Sequence, residues 1–458
     1  MTHEDHRNAV TVVGAGLAGC EAAWQIARRG TPVRLVEMRP ERTTPVHRTG
    51  DFGELVCSNS LRGDALDQAA GLLKEEMRRL NSLILRVADE VRVPGGSALA
   101  VDRVLFARRV TERLTSHPAI RVQRCEVTRI PDDPVVVLAT GPLTSDPLAA
   151  HIAVFVGEPH LYFYDALSPI VEADSIEFSE AFWSSRYGKG GDDYLNCPLN
   201  EEQYRAFHDA LVAAELVVPR EFEDERLFEG CLPIEAMARR GRETLRFGPL
   251  KPVGLLDPRS GARPFAVVQL RQEDLARRHY SLVGFQTRLT RPAQRRVVRM
   301  IPALARAEFA RYGQIHRNTY INAPRILGPT FETRRRAGLF IAGQVSGVEG
   351  YVESAASGLV AGLGASRRAQ GRQPLQFPPE TALGALGLHV SRGDPKAFQP
   401  VNIAFGLLPE PQRRMREKRR RRLAIADRAL ESLARFTAFF GIEEGDPPHA
   451  SRGAAITS

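Results

Sequence analysis

Two cysteines stand in settings where a thiol could react. Cys57 lies in Glu54-Leu-Val-Cys57-Ser-Asn-Ser60-Leu-Arg62, and Cys231 lies in Phe228-Glu-Gly230-Cys231-Leu-Pro233. Apolar residues recur at three- and four-residue intervals from Leu66 to Leu85, which predicts one amphipathic helix and puts Cys57 just ahead of its start. A thiol at a helix start is favoured as thiolate, the nucleophilic form, by free backbone N–H groups and the helix dipole. Around Cys231, glycine and proline predict an exposed turn rather than a core strand. At both positions a small buried hydrophobe is the competing reading, and for Cys20 and Cys125 it is the preferred one.

The second chemistry-bearing pattern is a phosphate cradle. Val10-Thr-Val-Val13 is β-rich and leads into Gly14-Ala15-Gly16-Leu17-Ala18-Gly19, after which 21–29 reads as a helix closed by Gly30. Gly14 permits the tight turn, Gly16 lets the backbone approach a pyrophosphate, and Gly19 lets helix pack on strand. The helix N-terminus offers unpaired N–H groups to the anion. A second apolar strand ends at Glu37, 23 residues after Gly14, where a carboxylate suits a ribose diol; this favours FAD or NAD over NADP.

The elements that must position these groups follow. Val135 to Leu138, ending at Thr140-Gly141, and Leu339 to Ala342, ending at Gly343-Gln344, predict two further strands, the later one followed by a helix from about Val352. A late strand-turn-helix that returns to the first cofactor turn points to a flavin. No second GxGxxG follows a strand, so a nicotinamide donor would lack its own Rossmann domain. The expected fold class is α/β: a doubly wound Rossmann-like FAD-binding domain, discontinuous, with an inserted α+β domain and a C-terminal helical segment. The boundaries read 1–156 and 301–370 for the two parts of the FAD-binding domain and 157–300 for the insertion. A basic helical extension spans 371–440, and 441–458 reads as a disordered tail.

Charge suggests a large partner. The chain has 458 residues and a net charge of +9, made by 58 arginines and only five lysines. Fourteen arginines against two acids between Arg277 and Arg336, and eight basic residues against one acid between Arg413 and Arg422, leave the rest of the chain acidic. Two basic stretches on an acidic body favour a polyanion larger than a cofactor, with nucleic acid first; solvated helix faces are the competing reading. Five widely and irregularly spaced cysteines, without a CxxC pair, argue against a disulfide framework or a metal site. The polar N-terminus and the lack of any apolar run near 18 residues predict no signal peptide and no membrane association, hence a cytoplasmic protein. Two loop-like segments, 241–254 with Lys251 and 312–324 with His316 and Arg317, read equally as anion or proton-transfer sites and as ordinary connections.

The motifs VVGAGLAGCEAAWQIARRG (12–30), LVCSNSLR (55–62), FEGCLPIE (228–235), GRETLRFGPLKPVGL (241–255) and AGQVSGVEGYVESAASGLVAG (342–362) occur in one order along the chain. Together they resemble the folate- and FAD-dependent tRNA (uracil-5-)-methyltransferases. The resemblance implies a reduced FAD that takes the one-carbon unit of methylenetetrahydrofolate to C5 of uridine 54 in the tRNA T-loop, with NAD(P)H recharging the flavin. It also implies roles for both cysteines, with Cys57 as the nucleophile at uracil C6 and Cys231 as base or partner thiol; the reverse assignment stays open. Tyr351 is the expected aromatic wall for the pterin, and the basic stretches become the surface for the tRNA T-arm. A monomer or weak homo-oligomer is expected. The alternatives are the same chemistry on a ribosomal RNA uridine, and a related FAD-dependent protein that modifies anticodon uridine and carries a longer C-terminal helical domain.

Overall fold

The computed structural model describes residues 9–158, 161–188, 191–217, 232–411 and 415–443, with backbone alone at 161–165 and 315–317. Its centre is a five-stranded parallel sheet. The spatial order is Leu339–Ile341, Val136–Leu138, Val10–Val13, Val33–Glu37 and Ile120–Arg124. Val10–Val13 is buried along its whole length, as a β-branched strand covered on both faces must be. The chain leaves this strand to one side, through Val33–Glu37, and later returns to its other side at Val136–Leu138. That reversal is a topological switch point, and the crevice beyond the strand ends is where α/β sheets bind ligands.

One face of the sheet is set by two helices, Leu17–Ala27 and Tyr351–Ala369, that press together through small residues. A Cβ on Gly358 would lie 2.1 Å from the Ala18 carbonyl oxygen, and one on Gly362 would lie 2.7 Å from that of Ala22. Glycine therefore sets the helix separation. The first helix begins at Leu17, earlier than the sequence pattern suggested, so its free N–H groups open directly onto the glycine turn.

The expected single helix over 66–85 is two, Ala69–Arg79 and Leu83–Glu90. Asn81 takes a left-handed conformation at φ 58° and Ser82 caps the second helix by accepting from the Leu85 N–H, so the apolar period survives while the axis breaks. Nor does a helix follow Cys57 directly. Ser60–Gly63 is a strand paired antiparallel with Ala98–Val101, and the helix starts only at Ala69.

A second hydrophobic core, running from Val171 to Ala307, belongs to a six-stranded antiparallel sheet. Its order is Phe182–Trp183, Tyr194–Leu199, Ala266–Gln272, His279–Leu282, Ile170–Glu172 and Phe309–Arg311. Leu161–Ala166 and Ile315–Tyr320 pair with each other where the chain leaves the first core and comes back to it. The α/β class, the chain's return to the first sheet and the C-terminal helices are as expected; Lys418–Phe440 packs through Ile425, Ala429 and Leu433 on one stripe. Among the described residues no helix is long and apolar enough to cross a membrane.

Candidate active site

The ends of the five parallel strands, segment 54–62 and part of the antiparallel sheet enclose a cavity of about 610 Å³. Gly14, Gly16, Leu17, Ala18, Glu37, Cys57, Thr140, Gly141, Gly343, Gln344 and Tyr351 all line it. The other two residues of the glycine pattern act behind the wall. Ala15 donates its N–H to Glu37 Oε2 at 2.7 Å, and a Cβ on Gly19 would lie 1.8 Å from the Gly14 carbonyl oxygen. Gly14 itself has φ 95°, and Gly16 faces open space, where a Cβ would meet no protein atom within 4 Å. A turn with backbone exposed to a cavity and a helix N-terminus behind it fits a pyrophosphate.

Glu37 is kept charged. Burial acts to raise its carboxyl pKa, but the Arg39 guanidinium at 2.9 Å and the Arg39 and Ala15 N–H groups outweigh it, and the net shift is downward. An ionised carboxylate at a strand end is the acceptor a ribose diol needs. Gly343 takes φ 79° after the late strand and donates its N–H to Ser357 Oγ at 2.7 Å, while Gln344 donates to Glu349. Thr140 Oγ1 lies 2.6 Å from Thr144 Oγ1.

Cys57 is half-buried. Its backbone N–H donates to the Tyr351 hydroxyl at 2.6 Å, and the Ser58 N–H donates to the same oxygen at 3.2 Å. Tyr351 thus ties the start of the late helix to the cysteine loop. Burial, with Cys57 adjacent, pushes its phenol pKa well above the usual value, so the hydroxyl stays protonated. Cys231 lies outside the described residues. Cys20 is buried, donates to the Ala15 carbonyl at 3.2 Å and has its pKa pushed up by burial, as an inert thiol should. Cys125, expected to be buried, is instead half-exposed and lines the cavity, because Ile120–Arg124 ends one residue earlier.

The segment 241–254 forms a short helix, Thr244–Phe247, and contributes no residue to the cavity wall. The side chains of His316 and Arg317 lie outside the described residues. Several site residues escaped sequence reasoning. Arg271 and Ser281 reach the cavity from the antiparallel sheet, and His47, Arg62 and Asn402 from loops and strand ends elsewhere. The signal for Arg271 was present: Ala266–Gln272 is buried throughout yet carries Gln269, Arg271 and Gln272, and buried polar residues are the informative ones.

His47, with Nδ1 2.6 Å from Thr44 Oγ1, is a pH-sensitive feature of the wall. Burial first, and Arg39 next, pull its imidazole down to about 4. The unfolded chain takes up a proton near pH 6.5 and the folded one does not, so this group's contribution is lost as pH falls from 6.5 towards 4. Urea titrations across that window should show stability declining by up to about 1.4 kcal/mol per pH unit more in the wild type than in His47→Gln. Equal slopes would mean that His47 titrates as in the unfolded chain.

A family model described as Glucose inhibited division protein A matches residues 9–373. A Desulforudis audaxviator protein is 62% identical over 426 residues, which cover 93% of this chain and 97% of that one. One from Heliobacterium modesticaldum is 58% identical over 429 residues, 94% and 98% of the two chains. Both are named methylenetetrahydrofolate--tRNA-(uracil-5-)-methyltransferase TrmFO. Among solved structures, Aquifex aeolicus GidA superposes with a TM-score of 0.70 at 18% identity, covering 95% of this chain and 73% of that chain, a likeness of fold. The chain belongs to the family of the Glucose inhibited division protein A model and, within it, to the methylenetetrahydrofolate--tRNA-(uracil-5-)-methyltransferases.

Proposed function

We propose that this protein methylates C5 of uridine 54 in the T-loop of tRNA, with methylenetetrahydrofolate as one-carbon donor, FAD as bound cofactor and NAD(P)H as reductant. The observation that carries the reading is the single cavity in which the glycine turn, the Glu37 carboxylate, the late strand end and the Cys57 loop meet. The names of the relatives support it.

Gly14, Gly16 and the N-terminus of Leu17–Ala27 would hold the FAD pyrophosphate, and Glu37 the ribose. Gly343, Gln344 and the start of Tyr351–Ala369 would face the flavin ring. Bound there, the reduced cofactor supplies the two electrons that convert a folate methylene into a methyl group. The Tyr351 hydroxyl is taken up by two amides, which leaves its ring as the surface for a planar pterin. Uracil C5 is a poor nucleophile until a thiolate adds to C6, and Cys57 is assigned that step. Cys231 is assigned the removal of the C5 proton. The target base must leave its stack to reach the cavity.

The RNA surface is read from arginines that the fold does not consume. Arg299, Arg334, Arg335 and Arg336 donate to backbone carbonyls and act as braces. Arg277, Arg291, Arg296 and Lys418 are exposed, and so are Arg278, Arg419 and Arg420, whose ion pairs with Asp274, Asp67 and Glu417 lie at the surface where phosphate can compete for them. Lys418, Arg419 and Arg420 open the helix Lys418–Phe440, where the dipole repels cations and attracts phosphate.

Purified protein incubated with methylenetetrahydrofolate, NAD(P)H and an unmodified tRNA transcript should yield one 5-methyluridine per tRNA by mass spectrometry. A transcript with cytidine at position 54 should yield none. Product on ribosomal RNA alone would overturn the tRNA reading.

A further inference from the structure

We propose that Cys57 is held as a thiolate by two guanidiniums without a carboxylate partner among the described residues, those of Arg271 and Arg311, beside loop 55–59, whose backbone Arg103 braces. The helix start expected to do this is absent, since Cys57 runs into a strand. Arg103 opens the helix Arg103–Thr115 and donates from Nη1 to the Leu55 carbonyl at 3.0 Å. Arg271, on Ala266–Gln272, donates from Nη2 to Ser58 Oγ at 2.7 Å and from Nε to Asn59 Oδ1 at 2.8 Å. Arg311 ends the edge strand Phe309–Arg311, and its Nε is buried without an acceptor.

The charges do not cancel. Arg103 is matched by Glu273 at 2.7 Å, and Arg62 by Glu353. Glu54 is engaged by Arg39 and by the Arg48 and Thr49 N–H groups, and Glu349 by Gln344. His47, with its lowered pKa, is neutral. Neither Arg271 nor Arg311 has an ion pair among the described residues. Burial, with Arg103 and Arg48 repelling, pulls Arg311 down to about 10, and the neighbours that favour its charge are Tyr351 and Cys57. A buried guanidinium without an anion is costly, so the surplus points to a group nearby that ionises. Tyr351 stays protonated, so of the two side chains that favour the Arg311 charge the Cys57 sulfur is the one left to ionise. Its S–H bond breaks with the proton passing to water, and the electron pair remains on sulfur facing the cations. Both of these arginines come from the antiparallel sheet, so that sheet sets the reactivity of a thiol on the other core.

The inference rests on Cys57 being the reacting thiol of the proposed function, but its test needs neither RNA nor folate. The rate of iodoacetamide alkylation at Cys57, resolved by peptide mass spectrometry, is followed from pH 5 to 10 on the protein as purified. The wild-type midpoint should lie at least about one unit below the free-thiol value of about 8.5. Arg311→Met should raise that midpoint and slow alkylation at pH 7 by about tenfold, while Arg311→Lys stays within about threefold of wild type. A wild-type midpoint at or above the free value overturns the proposal, whether or not the variant folds. So does an Arg311→Met profile that superimposes on wild type. A low wild-type midpoint combined with full methylation by Cys57→Ala would leave this inference standing and remove only the assignment of the nucleophile.

Discussion

Replacing Cys57 with alanine lowers 5-methyluridine formation by at least about 10³-fold under single-turnover conditions, with flavin content and tRNA affinity within about twofold of wild type. The expectation is this sharp because the backbone of the loop is held by contacts that other side chains make. Tyr351 receives the backbone N–H groups of Cys57 and Ser58, Arg103 holds the Leu55 carbonyl, and Asn59 donates to the carbonyls of Val101 and Gln272. All of these contacts survive in the alanine variant. What is removed is the nucleophile that turns C5 into an enolate-like carbon. Cys57→Ser should be as inactive, since a hydroxyl does not ionise near neutral pH. Retention of more than about 1% of the wild-type rate would move the nucleophile to Cys231.

Gly358→Ala destabilises the protein by about 1–3 kcal/mol or more and strips it of flavin. The sign is informative, because glycine to alanine inside a helix stabilises by roughly 0.5–1 kcal/mol where space allows. Here the new methyl would meet the Ala18 carbonyl oxygen at 2.1 Å, with the Ala18 carbonyl carbon and Cα both at 2.7 Å. No rotamer change relieves a clash with backbone, so the two helices must separate. Ala18 sits in the first turn of Leu17–Ala27, and its displacement carries with it the N–H groups assigned to the pyrophosphate. Gly406→Ala is the control, as its Cβ would meet nothing within 4 Å and its φ is not positive. Urea midpoints and the ratio of flavin to protein absorbance report both effects. A Gly358→Ala protein as stable as wild type and fully yellow would show that the helix contact is compliant and unconnected to the cofactor turn.

Much of the first core was legible because its signals are local. A β-branched run before Gly14 and a carboxylate at the end of the next strand each follow from short-range chemistry, and the structure brings them to one cavity wall. The Cys57 segment was misread for a related reason. Its strand is defined by pairing with Ala98–Val101, some 40 residues on, and by Lys74, whose buried ammonium donates to the carbonyls of Leu61, Arg62 and Gly63. A helical period downstream carries no information about either partner. The broken helix over 66–85 is the same lesson in miniature, since Asn81 and Ser82 turn the axis without disturbing the spacing of the apolar residues.

The sequence by itself determined the family, the α/β class, the glycine turn and the uneven distribution of charge. These depend on residue types at fixed spacing. Tertiary structure alone decided what the charge is for. Arg334 and Arg336 are used up on backbone carbonyls, Arg103 on Glu273 and Leu55, while Arg311 keeps a buried, unpaired nitrogen beside the cysteine loop. An arginine's role is set by which acceptors reach its five N–H groups, and those acceptors come from chain segments tens to hundreds of residues away.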